Sequence, residues 1–292
     1  MSTFSRLHAI LSGVGLLLVG CSSHLGKPAT PAPAALHTDF EVRTDLVFTP
    51  DDAPRKLLAD AYIPNGDGPW PGVLLIHGGG WEAGDRDQVA SIARRLARRG
   101  FVVFNTTYRL APKDVFPAQL QDVQQALSWM QSHAAELRMR PERIGAFGYS
   151  AGAHLAALLG TLSPGDALAA TPRVAAVVAG GTPSDLTKFK GGKLVPQFLG
   201  TNWKTDPEAY RRASPVTYIS RDDPPFFIYH GGWDKLVPVD HAEDLHAGLL
   251  AAGVRSELFI LKGRGHITAF LTDGAAFEAA ASFLDRELRA PP

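Results

Sequence analysis

The residues best placed to do chemistry lie where an apolar run, Ile144-Gly145-Ala146-Phe147, leads into Gly148-Tyr149-Ser150-Ala151-Gly152 and residues 151–159 continue as a helix-like stretch. A serine with a glycine two residues away on each side, at a strand-to-helix turn, has the pattern of a nucleophile elbow. The turn is crowded, so neither flank tolerates a bulky side chain. It holds the hydroxyl over a helix N-terminus, where free N–H groups and the helix dipole favour a developing negative charge. The chemistry this suits is acyl transfer to a serine nucleophile. A second segment, His77-Gly78-Gly79-Gly80-Trp81, follows the apolar run 73–76. A glycine-rich turn after a buried strand lets backbone N–H groups approach a ligand oxygen closely, as the oxyanion of a tetrahedral intermediate requires. These donors are assigned to the amides of Gly79, Gly80 and Ala151; the alternative is an ordinary strand-to-loop turn.

Together with Tyr108-Arg109-Leu110-Ala111-Pro112 and Pro141-Glu142-Arg143-Ile144, these segments resemble the esterase/lipase branch of the α/β-hydrolase superfamily. The nearest groups are the hormone-sensitive-lipase-like carboxylesterases and the bacterial feruloyl-esterase-like hydrolases, and the likeness runs from about residue 42 to 288. It implies a serine, an acid and a histidine in that chain order. Five histidines follow Ser150: His154, His230, His241, His246 and His266. His266, just after the last apolar strand, holds the position the family gives to the base. His154 would point away from Ser150, His230 would shape its own loop, and His241 and His246 read as members of an amphipathic surface helix. Asp234, in Trp233-Asp234-Lys235-Leu236-Val237-Pro238, matches the family's acid. Of its rivals, Asp240 reads as a helix cap and Asp223 precedes its strand.

The elements that must position these groups alternate. The segment from Phe40 to Phe48 and residues 57–63 read as an antiparallel pair of strands. Short apolar strands follow near 73–76, 101–105, 144–147, 174–179, 226–229 and 256–261. Helical stretches fall near 88–99, 117–133, 151–162, 240–252 and 274–288. This order predicts an α/β-hydrolase fold: a mostly parallel eight-stranded sheet with helices on both faces and function at the strands' carboxyl ends. A large N-terminal cap is not expected, because the stretch before Phe40 is short and proline-rich. The long excursion 183–223, with Phe189, Phe198, Trp203 and Tyr210, either covers the site or is an ordinary packed insertion. Trp81, Tyr149 and Trp233 are candidates to line a substrate pocket, with packing roles as the alternative for the two tryptophans. Glu82, Asp85 and Arg86 read as structural.

The chain has 292 residues, 45% of them hydrophobic, with 29 basic and 29 acidic side chains. A neutral balance gives no reason to expect a nucleic-acid partner. The one dense basic patch, Arg94-Arg95 with Arg98-Arg99, reads as a solvated helix face. Residues 1–20 resemble a lipoprotein signal peptide, with Arg6 ahead of an apolar run too short to span a bilayer. That run ends at Cys21, the single cysteine. Its position in a lipobox-like setting implies lipidation, with ordinary secretory cleavage as the alternative, and residues 21–36 read as a flexible tether to a domain over 37–292. The implied location is the cell envelope, on the outer-membrane or periplasmic side, with the membrane contacted through the anchor.

No nucleotide, flavin or metal motif is present, so no cofactor is expected. Gly191-Gly192-Lys193 lacks the remainder of a phosphate-binding loop. The expected partner is a small acyl or aryl ester, or an ester decorating a polysaccharide. Three functions remain open at this level: a serine carboxylesterase, an amidase, formamidase or serine peptidase using the same triad, and a silent hydrolase fold acting as a binding protein.

Overall fold

A computed structural model describes residues 22–29, 32, 35–53, 55–170 and 173–289. The proposed signal peptide and Cys21 lie outside the described residues. In chain order the strands are β1 (Ser22–Leu25), β2 (Phe40–Val47), β3 (Leu58–Pro64), β4 (Trp70–Ile76), β5 (Val102–Thr106), β6 (Met139–Tyr149), β7 (Ala176–Gly180), β8 (Phe226–Gly231) and β9 (Ser256–Leu261). The helices are α1 (Ala90–Arg98), α2 (Ala118–Ser132), α3 (Ala151–Thr161), α4 (Leu194–Leu199), α5 (Pro207–Arg212), α6 (Asp240–Ala251), α7 (His266–Leu271) and α8 (Gly274–Arg289).

Among the described residues the nine strands form one sheet in the order β1-β9-β8-β7-β6-β4-β5-β3-β2. The six strands β4 to β9 are parallel, while β3 pairs antiparallel with β5 and β2 with β3 at one edge, and β1 pairs antiparallel with β9 at the other. The expected eight-stranded sheet therefore gains a ninth strand, and it comes from the stretch read as a tether. Ser22 to Leu25 pair with Leu261 to Leu258, and His24 Nε2 lies 2.8 Å from Glu257 Oε2. The physical reason is the free edge of β9: an unpaired row of N–H and C=O groups is a template for any extended segment within reach.

The two faces separate cleanly by strand alternation. Leu74, Ile76, Phe104, Ala146, Val177 and Ile228 face a core closed by α2, α3 and α6. Val73, Leu75, Val103, Phe147, Val178 and Phe227 face a second core closed by α1 and α8. Because both faces are covered, the central strands are near-continuous apolar runs rather than alternating ones. Strand order reverses at β4, which sits between β5 and β6. Ligands in open α/β sheets bind at the carboxyl ends of strands next to such a reversal, and here those ends carry His77 and Ser150.

The arginine cluster is a solvated face only in part: Arg94 and Arg98 are exposed, whereas Arg95 and Arg99 are engaged. Arg99 Nε donates to Asp285 Oδ2 at 2.7 Å and its Nη1 to Glu278 at 2.8 Å, while Arg95 donates to Asp273 at 2.9 Å and lies 3.4 Å from the centroid of Phe277. These contacts join α1 to α8 across their shared sheet face. The Asp285 carboxylate is fully buried and has a second partner in Arg289 at 2.7 Å. Arg99→Ala should therefore leave a buried charge half-paired and cost about 2–4 kcal/mol in urea unfolding. A change below about 0.5 kcal/mol, the level of a neutral surface substitution, would show that Arg289 suffices alone.

Candidate active site

Ser150 sits between β6 and α3 with φ 55° and ψ −122°. A non-glycine residue in that region is strained, and strain of this kind persists only where the surroundings over-determine it. Here they do. The Ser150 N–H donates to Gly180 O at 2.7 Å, and its carbonyl accepts from the His154 amide at 3.0 Å. The two flanking glycines are demanded by close approach. A Cβ on Gly148 would lie 2.3 Å from the Gly152 backbone, and one on Gly152 would lie 2.1 Å from Ile76 O. The elbow is thus wedged against the end of β4.

The structure brings Ser150, Asp234 and His266 together. His266 Nε2 is 2.9 Å from Ser150 Oγ, and His266 Nδ1 is 2.6 Å from Asp234 Oδ2. His266 is the first residue of α7, and Asp234 lies on the loop after β8. The other carboxylate oxygen of Asp234 accepts from the amides of Leu236 and Val237, both at 2.9 Å. Burial by itself would raise the Asp234 pKa. Hydrogen bonds from His230, His266 and the Val237 amide outweigh it and hold the carboxyl well below the ordinary range. Asp234 is therefore ionised throughout the neutral range and able to stabilise an imidazolium on His266.

Gly79, Gly80 and Ala151, whose amides are the expected oxyanion donors, line the same cavity as Ser150. Among the described residues no backbone or side-chain acceptor takes these three N–H groups. Gly79 has φ +111°, and a Cβ there would lie 2.0 Å from Ala83 O, so only glycine fits the turn. His77 fixes this loop from behind. Its ring stacks on Tyr108 at 4.3 Å, its Nδ1 is 2.7 Å from Gly78 O, and Tyr108 Oη donates to His77 O at 3.1 Å.

The cavity measures about 740 Å³ and is mostly apolar. The excursion covers it: Phe189, Leu194 and Val195 form one wall, and Leu236, Ile267, Phe270 and Leu271 form another. Sequence reading missed the second wall, although Ile267, Phe270 and Leu271 have the i, i+3, i+4 spacing of a helix face.

The three substrate-binding candidates divide. Tyr149 lines the cavity, and its Oη donates to His266 O at 2.5 Å, so it also positions the base. Trp81 also lines the cavity and is at the same time a packing residue, since it is buried and its ring stacks on Phe198 at 4.4 Å. Trp233 does not line the cavity and is a correction to the expectation. Its amide is tied to Arg264 O at 2.9 Å while its side chain projects into solvent.

The rival residues have structural partners. His230 Nε2 lies 2.8 Å from Val237 O and helps hold the acid's loop. Asp223 bonds within its own turn to Ser220 and to Arg173. Asp240 pairs with Lys188 at 2.7 Å. Neither His241 nor His246 is a surface residue. His241 stacks on Phe189, and His246 Nδ1 lies 2.8 Å from Ser256 Oγ. His154 accepts from Trp81 Nε1 at 3.3 Å, and its Nε2 lies 2.7 Å from Ala213 O, which fixes a neutral tautomer.

Burial pushes both His154 and His241 down to about 4, the latter aided by nearby Lys188. Both pKa values are depressed for a group that is charged when protonated, so the unfolded chain binds protons in the window between about 4 and 6.5 that the folded chain does not. The stability they support is complete above pH 6.5 and is lost as pH falls toward 4. Urea unfolding at pH 7 and pH 4.5 should differ by about 2–4 kcal/mol, and equal midpoints would mean that the folded protein accommodates these protons without penalty.

The BD-FAE family profile matches residues 59–249. A probable carboxylic ester hydrolase of Mycobacterium tuberculosis, LipM, is 34% identical over 59% of this chain and 43% of its own length. The chain spans about half the length of the curated relatives it matches. Among solved structures, Thermogutta terrifontis esterase 2 phosphoramylated by tabun is 26% identical with a TM-score of 0.70, covering 87% of this chain and 97% of that one. A bifunctional GH43-CE of Bacteroides eggerthii is 27% identical with a TM-score of 0.74, covering 84% of this chain and 38% of that one. One family profile thus runs from the second antiparallel strand, through the elbow, to the helix after the loop that carries Asp234, and the chain belongs to the BD-FAE family within the α/β-hydrolase fold.

Proposed function

We propose that the protein is a serine carboxylesterase that works through an acyl-enzyme. The observation that carries this reading is the continuous relay from Ser150 Oγ through His266 to Asp234, at 2.9 and 2.6 Å, beside three unclaimed backbone donors. His266 Nε2 takes the Ser150 proton as Oγ adds to the ester carbonyl. The amides of Gly79, Gly80 and Ala151 receive the oxyanion, and Asp234 stabilises the imidazolium. The acyl C–O bond breaks as His266 returns the proton to the leaving alcohol. Water then repeats the sequence on the acyl-enzyme, releasing the acid and restoring Ser150.

A largely apolar cavity of about 740 Å³ suits an acyl or aryl group. The phosphoramylated Thermogutta structure, an esterase captured with an organophosphorus agent, is in keeping with a nucleophile of this kind. An amide substrate would use the same residues and is separated by assay. The lipobox-like setting of Cys21 supports an envelope location with the membrane contacted through a lipid anchor.

Turnover of p-nitrophenyl esters of graded acyl length, with a matched anilide beside each, tests the reading. Ser150→Ala should lower ester kcat by about 10⁴–10⁶-fold; undiminished turnover would remove Ser150 from the mechanism, and preference for the anilide would make the protein an amidase. In Asp234→Asn the carboxylate that orients and stabilises His266 is gone, so kcat should fall by roughly 10⁴-fold with KM little changed. A loss confined to KM would instead assign Asp234 to substrate binding.

A further inference from the structure

We propose that the mouth of the active-site cavity is a docking face for an anionic phospholipid bilayer, and that the ester substrate is a long-chain acyl ester drawn from that bilayer. The substrate clause rests on the esterase reading above; the docking clause does not.

The first observation is the rim itself. Large apolar side chains are exposed around the opening: Trp233 by 73%, Leu236 by 52%, Ile267 by 62% and Leu271 by 70%. The last three also line the cavity that contains Ser150. Trp233 and Leu236 lie on the loop after β8 and Ile267 and Leu271 on α7, and the loop leading into α7 is joined to the loop after β8 by backbone bonds, Gly232 N–H to Leu261 O and Trp233 N–H to Arg264 O, both 2.9 Å. A connected apolar surface of this kind marks an interaction site rather than scattered exposure.

The second observation is charge. The same two loops carry Lys235, Lys262 and Arg264, and among the described residues none of the three has an ion-pair partner. The acids Asp234, Glu82 and Asp273 are already engaged: Asp234 is buried in the relay, Glu82 lies 3.6 Å from Lys193 and Asp273 pairs with Arg95 at 2.9 Å. A chain with no net charge therefore turns a cationic, tryptophan-bearing, aliphatic rim outward from its active site. That combination fits the interface of an anionic membrane, where tryptophan sits at headgroup depth and basic residues meet phosphate.

The third observation is where the chain enters the domain. β1 runs antiparallel to β9, and its first residue, Ser22, pairs with Leu261 at the carboxyl end of β9. Lys262 follows directly, and His266 lies four residues further on. The residue before Ser22 is Cys21, and the apolar segment from Leu7 to Gly20 precedes it. Whatever fixes this end of the chain to a membrane attaches beside the cavity mouth, so the anchor and the rim share one face. A tether at the opposite end of β1 would instead have turned the mouth away from the lipid.

The test uses the full chain in vesicles of phosphatidylcholine and phosphatidylglycerol. Of the five tryptophans Trp233 alone is exposed rather than buried or half-buried, so phosphatidylcholine brominated in its acyl chains should quench part of the fluorescence, and that part should vanish in Trp233→Phe. Trp233→Ser combined with Lys262→Glu removes rim character without touching the cavity wall. It should lower turnover of a bilayer-partitioned long-chain 4-methylumbelliferyl ester by about tenfold while leaving turnover of the water-soluble acetate unchanged. Absence of quenching, with both esters affected alike, overturns the docking face. Absence of quenching with Trp233→Ser impairing only an acetylated polysaccharide overturns it in favour of a glycan platform. Quenching by a wild-type protein that hydrolyses neither ester retains the docking face and overturns the esterase reading on which the substrate clause rests.

Discussion

The junction of β4, β6 and α3 is the constraint on which the rest of the site depends. Gly148 and Gly152 let three backbone segments meet at distances that no side chain permits, since a Cβ on either would sit within 2.3 Å of another backbone atom. That contact wedges the elbow, and the wedge holds Ser150 at a positive φ with its hydroxyl outward. Without it Ser150 would relax toward an ordinary helix N-cap and lose its alignment with His266. The same junction sets the distance between the 77–81 loop and Ser150, so the serine hydroxyl and the loop's backbone N–H groups are positioned by one packing event.

Around this fixed point the other groups are held from outside the elbow. The two loops after β8 and β9 are joined by backbone bonds, which brings Asp234 and His266 from 32 residues apart into contact. His230 and the amides of Leu236 and Val237 satisfy the carboxylate and keep it charged despite its burial. Tyr149 ties the elbow to the histidine by donating to the His266 carbonyl. The site is therefore a ring of mutually oriented parts, and preorganisation of this kind is what the proposed stabilisation of an oxyanion by the unclaimed amides requires.

Much of this arrangement was legible in the chain. The parallel strands were visible as short apolar runs because they are buried on both faces, and Ser256–Leu261 was read to the residue. Ser150 was legible because the elbow's steric demand writes glycine at fixed positions. Asp234 and His266 were legible only through resemblance, since nothing local distinguishes a relay histidine from His241 or His246. Segments whose structure comes from contacts distant in sequence were misread. β1 looked like a tether because four residues carry little periodicity, and Arg95 and Arg99 looked solvated, as Arg94 and Arg98 are, because their acidic partners lie some 180 residues away.

What the sequence determined by itself was local: which segments form strands or helices, where a turn must be sharp, and which serine sits on it. These follow from side-chain period and backbone sterics within a few residues. What only the tertiary structure decided was the company each group keeps. Trp81 and Trp233 are the same residue type in comparable loops, yet one is stacked beneath the pocket on Phe198 and the other stands in solvent at its rim. The wall contributed by Phe189 and Leu194, and the pairing of Ser22 with Leu261 that brings the chain's entry to the cavity mouth, likewise depend on long-range packing. Burial, pairing and pocket shape are properties of surfaces brought together from distant parts of the chain, and no window of sequence contains both sides of such a contact.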